Sequence, residues 1–227
     1  MLKHKTLLAF MLLALSGGGA DAGVASTVSV TNDYDFRGVS QTAKNPALQA
    51  SVDYADENNG WYAGAWVSPV DFGDSTNIEL DLRTGFTGKT DAGLGWDAGV
   101  VYYVFDEDRY NFPEIYTAYG YRYFNARVSY SNDFHGRSMA GHTDVVNLAL
   151  DATLPLPVKR LSLLAHVGRS EGNDAFVDYT DYSAGLAYDL KYVRVSLKYV
   201  NTTLPDLHED ELNGQGRAVF AITARLP

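Results

Sequence analysis

Apolar and charged residues alternate along Ile78-Glu79-Leu80-Asp81-Leu82-Arg83-Thr84-Gly85-Phe86. A period of two is typical of a β-strand that separates two unlike environments, because successive side chains point to opposite faces. Here one face carries large apolar side chains and the other carries charges. This arrangement favours a barrel whose outer face meets lipid and whose inner face is polar.

The same alternation recurs along the chain and predicts about twelve strands, most of them roughly 9–11 residues long, which is the length that crosses a bilayer at a tilt. Two runs, 61–68 and 114–121, read as strands by composition but are ambiguous in face. The connections alternate in length. The long ones are 38–46, 69–77, 105–113, 132–144, 169–180 and 201–216, and the short ones are 55–60, 88–93, 122–123, 155–160 and 190–192. The sequence therefore predicts an all-β, antiparallel, up-and-down transmembrane β-barrel with its long loops outside the cell.

The N-terminus reads as a secretory signal peptide. Lys3, His4 and Lys5 precede a short apolar run and the small-residue site Ala20-Asp21-Ala22. We place cleavage after Ala22, so that residues 1–22 are the signal peptide and residues 23–227 form one barrel domain. No later run is apolar enough for a membrane-spanning helix, so a membrane location requires a barrel.

Composition excludes several classes of function. The 227 residues carry a net formal charge of −10, which argues against nucleic acid as a partner. The chain has no cysteine, so disulfides and thiol chemistry are absent. The expected surroundings are outer-membrane lipid and lipopolysaccharide, and nothing marks a subunit interface.

The inner face of the predicted strands supplies the candidate site. Charged side chains there would either line an aqueous path or pair across strands and fill the lumen. Acids and bases are close to balance, so strong ion selectivity is not predicted. The predicted pore-lining residues are Asp33, Asp35, Arg37, Asp53, Glu79, Asp81, Arg83, Asp97, Arg127, Asp151, Asp189, Arg194 and Lys198.

The densest inward cluster is residues 33–38, Asp-Tyr-Asp-Phe-Arg-Gly. Arg37 follows Asp35 by two residues on the same face, and Gly38 would let the strand bend into the loop. We expect a structural salt bridge near the rim, or else a constriction or a substrate contact.

Catalytic, metal and cofactor sites are not predicted. His135, Ser138 and His142 lie in one loop between Asp133 and Asp144, but no strand holds them and no Gly-x-Ser-x-Gly motif is present. His166 is expected to be a hydrogen-bonded lumen residue. The acidic runs 106–108 and 208–211 lack the spacing of a calcium loop and are expected to be solvated.

Aromatic residues near strand ends predict girdles at the two membrane interfaces. The predicted girdle residues are Tyr34, Tyr54, Trp61, Tyr102, Tyr130, Tyr182, Tyr188 and Tyr199.

Residues 31–42, Thr-Asn-Asp-Tyr-Asp-Phe-Arg-Gly-Val-Ser-Gln-Thr, resemble the opening motif of the TorF-type porins, a family of Gram-negative outer-membrane proteins. The resemblance continues through residues 46–49, 52–54, 60–64, 70–72 and 79–81, about the first third of the mature chain. It implies an outer-membrane barrel and passive transport. The end of the chain, Arg225-Leu226-Pro227, departs from the aromatic residue on which such proteins usually finish.

Three functions are consistent with the sequence. The first is a porin that lets small hydrophilic solutes diffuse through a charged lumen in the outer membrane. The second is a closed outer-membrane barrel that acts as a structural, adhesive or binding module through its outer loops. The third is a soluble periplasmic barrel with its faces inverted, which binds an apolar ligand.

Overall fold

Twelve long strands close into an antiparallel barrel in a computed structural model that describes residues 22–138, 142–205 and 213–226. The signal peptide predicted at residues 1–22 lies outside these residues except for Ala22. The barrel strands are β1 (Ala22–Thr31), β4 (Ala47–Asp56), β5 (Trp61–Pro69), β6 (Ile78–Lys89), β7 (Gly95–Phe105), β8 (Phe112–Tyr121), β9 (Phe124–Ser131), β10 (Val145–Pro155), β11 (Leu161–Gly172), β12 (Tyr179–Asp189), β13 (Val193–Thr202) and β14 (Arg217–Leu226). Two short strands, β2 (Asp35–Phe36) and β3 (Val39–Ser40), form a separate hairpin.

Each barrel strand pairs with its neighbours in sequence, and β1 closes the ring by pairing with both β4 and β14. This confirms the predicted up-and-down barrel and its strand number. The two ambiguous runs are β5 and the greater part of β8. Closure matters in lipid, because it leaves no strand edge with unpaired backbone groups.

The two faces of the barrel have the environments that the alternation predicts. On β6, Leu82 is 45% exposed on the outer face, whereas Glu79 of the same strand is 2% exposed and faces inward. Large apolar side chains cover the outside of every barrel strand in the same way, and such a surface requires lipid rather than water. The protein is therefore an outer-membrane β-barrel, and the soluble form with inverted faces is wrong.

Long and short connections alternate around the barrel, as predicted. The long loops are 32–46, 70–77, 106–111, 132–144, 173–178 and 203–216, and the short turns are 57–60, 90–94, 122–123, 156–160 and 190–192. We call the end that carries the long loops the outer end, and the other the periplasmic end, because outer-membrane barrels have short periplasmic turns.

Exposed aromatic side chains mark both ends of the outer surface. Trp61, Trp96 and Tyr188 lie near the periplasmic end, and Tyr102, Tyr130 and Tyr199 lie nearer the outer end. The prediction for Tyr34 is wrong, since this residue is buried inside the barrel.

The first strand ends earlier than the alternation predicts. Beyond Thr31, Asn32 binds the adjacent strand β14 through its backbone and side chain, with its Oδ1 accepting a hydrogen bond from the Phe220 N–H at 2.6 Å. Thr31 Oγ1 donates to the Asp33 carbonyl at 2.7 Å and so turns the chain. Residues 33–37 consequently leave the barrel wall.

In the part of the chain that the structure describes, no helix is long and apolar enough to span a membrane.

The outer face of β6 provides a direct test of lipid contact. We expect Leu82→Arg to destabilise the barrel by about 2–4 kcal/mol, because the charge would lie near the bilayer midplane. The same residue type placed in an exposed turn, Asp91→Arg, should stay within about 0.5 kcal/mol of the wild type. Urea unfolding in lipid vesicles measures both values, and equal stability of the two variants would contradict a lipid-facing Leu82.

Candidate channel interior

The β2–β3 hairpin lies inside the barrel rather than above it. Asp35 pairs with Ser40 and Phe36 pairs with Val39, leaving Arg37 and Gly38 as a two-residue turn. Both turn residues have positive φ, at 51° and 82°. Such turns match the twist of a hairpin, but a residue with a side chain reaches this conformation only at a cost, which is why Arg37 is notable there. We call residues 35–39 the hairpin tip.

The hairpin tip crosses the lumen. The loop leaves the wall at β1, yet the Arg37 guanidinium forms an ion pair with Glu114 on β8, five strands away round the barrel. The Glu114 side chain is only 1% exposed. The Arg37 guanidinium also lies over the ring of Phe36, at 4.8 Å, and within 5.7 Å of the Phe134 ring.

A second ion-pair cluster anchors the hairpin on the opposite side. Arg217 on β14 pairs with Asp33 and, at 2.7 Å, with Asp35, and it donates to the Gly38 carbonyl at 2.7 Å. Gly38 lies so close to the wall that an added Cβ would meet Thr202 Cγ2 at 2.5 Å and Asp181 Cβ at 2.7 Å. A side chain at position 38 would therefore push the tip off the wall.

Aromatic side chains from the strands and loops fill the outer end of the interior around this hairpin. Phe36 meets Tyr103 at a centroid distance of 5.8 Å, and Tyr103 stacks on Phe112 at 4.4 Å. Other contacts of this cluster join Tyr34 to Trp66, Phe72 to Phe105, Phe112 to Phe134, and Phe134 to Phe176. Together with the hairpin, this aromatic cluster narrows the outer mouth.

Below the cluster, the inner faces of β5–β8 form a packed flank. The Tyr62 hydroxyl donates to Asp97 at 2.7 Å and contacts the Tyr116 hydroxyl. The Tyr62 hydroxyl lies over Gly85 and Gly99, where an added Cβ would collide with it. Arg127 stacks on Tyr116 at 3.7 Å, which extends the flank to β9.

On the inner faces of β10–β13, the charged side chains other than the buried Asp181 stay partly open to water. We call these faces the accessible wall. Asp151 is 47% exposed at its side chain, and Asp189 is 36% exposed and pairs with Arg194 at 2.8 Å. His166 lies between Asp151 and Asp181, with one ring nitrogen 2.7 Å from each carboxylate. An imidazole donates from both nitrogens only as the imidazolium ion.

The structure places the predicted pore-lining residues in two groups. Those in the strands, Asp53, Glu79, Asp81, Arg83, Asp97, Arg127, Asp151, Asp189, Arg194 and Lys198, lie on inner faces, and Asp33, Asp35 and Arg37 lie in the inserted loop. Three of them, Asp33, Glu79 and Asp97, are fully buried in packed surroundings. Asp53 and Arg83 pair with each other through two nitrogens of the guanidinium group, one of them at 2.9 Å.

Asp35 and Arg37 both form ion pairs, and each binds a different wall. The positive φ of Arg37 turns its side chain toward β8, while Asp35 reaches β14. The alternative expectation for this segment, a constriction, fits the inserted hairpin.

The sequence-based reasoning missed Glu114, Asp181 and Arg217. Glu114 belongs to β8, where both faces carry aromatic or apolar residues, so the alternation does not show which face is inward. The sequence does contain a signal for the inner face of β8, because the charged Glu114 alternates in step with Phe112, Tyr116 and Ala118. Arg217 directly follows the predicted loop 201–216, and its partners Asp33 and Asp35 lie more than 180 residues away in sequence.

The outer loops bind one another through residues of the acidic run 106–108, for which the sequence predicts solvation. Asp106 accepts hydrogen bonds from the backbone N–H groups of Asn77 and Ile78, at 2.9 and 3.3 Å. Asp108 pairs with Arg137 at 3.1 Å. The other acidic run, 208–211, lies outside the described residues.

The two histidines of loop 132–144 lie in different surroundings. His135 packs between Phe112 and Phe134, while His142 is exposed and lies 3.5 Å from Asp133. No group of three or more metal-ligating side chains occurs within residues 22–138, 142–205 and 213–226.

A family model described as a bacterial protein of unknown function (Gcw_chp) matches residues 16–222. The chain belongs to this family. No curated protein matches the sequence.

Solved structures share the fold at low sequence identity. The NanC porin has a TM-score of 0.57 at 10% identity, covering 89% of this chain and 100% of its own. The KdgM porin has a TM-score of 0.54 at 8% identity, covering 90% of this chain and 99% of its own. At this identity the comparison establishes a common barrel architecture.

The partly buried His135 predicts a pH effect on the outer end. Burial, together with the nearby positive charge of Arg37, lowers the pKa of His135 to about 4. Because an unfolded histidine has a pKa of about 6.5, the unfolded chain binds more protons between these values, and stability falls as the pH falls from 6.5 to 4. We expect His135→Phe to flatten this slope in denaturant unfolding.

The exposed His142 provides the matched control for that experiment. His142→Phe should keep the wild-type slope between pH 6.5 and 4. An unchanged slope in His135→Phe would show that His135 is not buried in the folded loop.

Proposed function

We propose that this protein is an outer-membrane channel through which small hydrophilic solutes diffuse passively, with water following the accessible wall and the hairpin tip narrowing the outer mouth. No covalent step is involved. The observation that carries the proposal is the partial exposure of charged side chains on the inner faces of β10–β13.

These side chains need water. A charged group inside a dry interior is costly unless a partner compensates it, and Asp151 is 47% exposed although it lies on an inner face. Ser196 and Lys198 on β13 are also partly exposed and face the same space. A lumen with hydrated charges along one side suits polar solutes.

The charges on the accessible wall suggest weak ion selectivity. Asp151 and Asp189 are balanced there by Arg194 and Lys198, and His166 is bonded to carboxylates on both sides. We therefore propose small hydrophilic solutes of either charge sign as the diffusing species.

Two comparisons support the proposal. The barrel has the architecture of the NanC and KdgM porins, and one KdgM structure is described as a complex with disordered oligogalacturonate. The first third of the mature chain also resembles the TorF-type porins, for which passive transport is inferred.

The filled outer end favours a second candidate function. If the aromatic cluster and the hairpin tip never separate, the barrel is closed and acts as a structural, adhesive or binding module through its outer loops. Replacing loop 203–216 by a short glycine-serine turn distinguishes the two, because binding would be lost in a module whereas conductance would survive in a channel.

Conductance tests the channel directly. Purified protein in planar bilayers should give stepwise currents, and Ser196→Trp should reduce the step several-fold because it places a large ring in the water path. The matched control is the adjacent Leu197→Trp, which faces lipid and should leave the step unchanged. A barrel that shows heat-modifiable gel mobility and never conducts would favour the closed module.

A further inference from the structure

We propose that the hairpin tip, residues 35–39, is a gate that swings away from the wall toward the outer end. The hairpin base, which consists of Asp33, Ser40 and Thr42, stays anchored. The inference rests on the proposed channel function. It follows from the way in which the tip shares each of its wall partners with a residue outside the tip.

Glu114 shows this sharing most clearly. It pairs with Arg37 of the tip, and its other carboxylate oxygen lies 3.5 Å from the Arg127 guanidinium on β9. Removing the only partner of a buried carboxylate strongly destabilises the folded protein. Because Arg127 remains in place through its stacking on Tyr116, Glu114 keeps a positive neighbour when Arg37 leaves.

The other wall partners have the same property. Arg217 binds Asp35 of the tip but also Asp33, which belongs to the hairpin base. Asp181, which the tip covers at Gly38, is bonded to His166 at 2.7 Å. Tyr103, which meets Phe36, stacks on Phe112.

The base of the hairpin is held independently of the tip. Asp33 accepts hydrogen bonds from Ser40 Oγ at 2.5 Å and Thr42 Oγ1 at 3.2 Å, in addition to its ion pair with Arg217. The Ser40 N–H donates to the Asn213 carbonyl at 3.1 Å on the other side. Movement is therefore confined to the five residues of the hairpin tip, 35–39.

The turn itself favours release. Arg37 adopts a φ of 51°, a left-handed conformation that residues other than glycine and asparagine seldom occupy, and it is held there by its contacts with Glu114 and the rings of Phe36 and Phe134. Strain of this kind persists only while the surrounding contacts hold it. Loss of the contact with Glu114 lets Arg37 relax.

Single-channel recording tests the gate with variants of the Arg37–Glu114 ion pair, which we call the latch variants. Arg37→Gln and Glu114→Gln each remove the charge pair, and each should raise the open probability or the conductance at least several-fold. The double variant should behave like either single variant, because all three break the same contact. Arg109→Gln is the matched control, since Arg109 pairs with Asp74 at 2.5 Å on the outer rim and should leave the currents unchanged.

A second measurement follows the tip itself. The chain has no native cysteine, so Val39→Cys creates a single reactive thiol in the tip and leaves the Phe36 ring in place. Its modification by a water-soluble thiol reagent should be several-fold faster when combined with Arg37→Gln than with the wild-type Arg37. Each latch variant is first checked for heat-modifiable mobility, and Glu114→Gln replaces Arg37→Gln if the latter does not fold.

The outcomes separate the two proposals. Currents that appear or increase only in the latch variants, with faster labelling, support both the channel and the gate. Wild-type currents that stay unchanged in the latch variants, with unchanged labelling, overturn the gate and leave the channel intact. Folded wild-type and variant barrels that never conduct overturn the channel, and labelling then reports separately on whether the tip moves.

Discussion

Charged side chains inside a lipid-embedded barrel need either a partner or water, and this requirement organises the whole interior. In the packed flank, carboxylates such as Asp97 are matched by tyrosine hydroxyl groups, and Glu114 is matched by guanidinium groups. Along the accessible wall, Asp151 is matched partly by His166 and partly by solvent. Charged side chains are therefore mostly paired in the packed flank and more open to water along the accessible wall. We propose that the path for solutes follows the accessible wall.

The outer end shows how a loop can close such a path without replacing the wall. The hairpin tip contributes one base and one acid, and both insert into clusters in which the wall already holds opposite charges. The clusters at Glu114 and Arg217 lie on opposite sides of the lumen, so two small contacts are enough to hold the tip across it. The same sharing of partners keeps the wall compensated when the tip is displaced. Closure and release therefore depend on the same residues.

Much of the barrel could be predicted from the sequence, because the alternation in β6 and its repeats is a local property that the backbone geometry enforces. The site was harder to predict for two physical reasons. Asp33 to Arg37 continue the alternation of β1, yet hydrogen bonds from Thr31 and Asn32 end the strand before them. The deciding ion pairs also join residues far apart in sequence, 77 positions for Arg37 and Glu114 and 184 for Arg217 and Asp33. The inner face of β8 was obscured by aromatic residues on both of its faces.

The most direct test of this account measures from which side of the membrane water reaches the accessible wall. A single cysteine at Ser196, in a chain with no other cysteine, can be exposed to a membrane-impermeant thiol reagent from either side of oriented proteoliposomes. We predict rapid modification from the periplasmic side and modification at least several-fold slower from the outer side, where the hairpin tip and the aromatic cluster lie. Equal rates from both sides, or no reaction from the periplasmic side of a folded barrel, would contradict it.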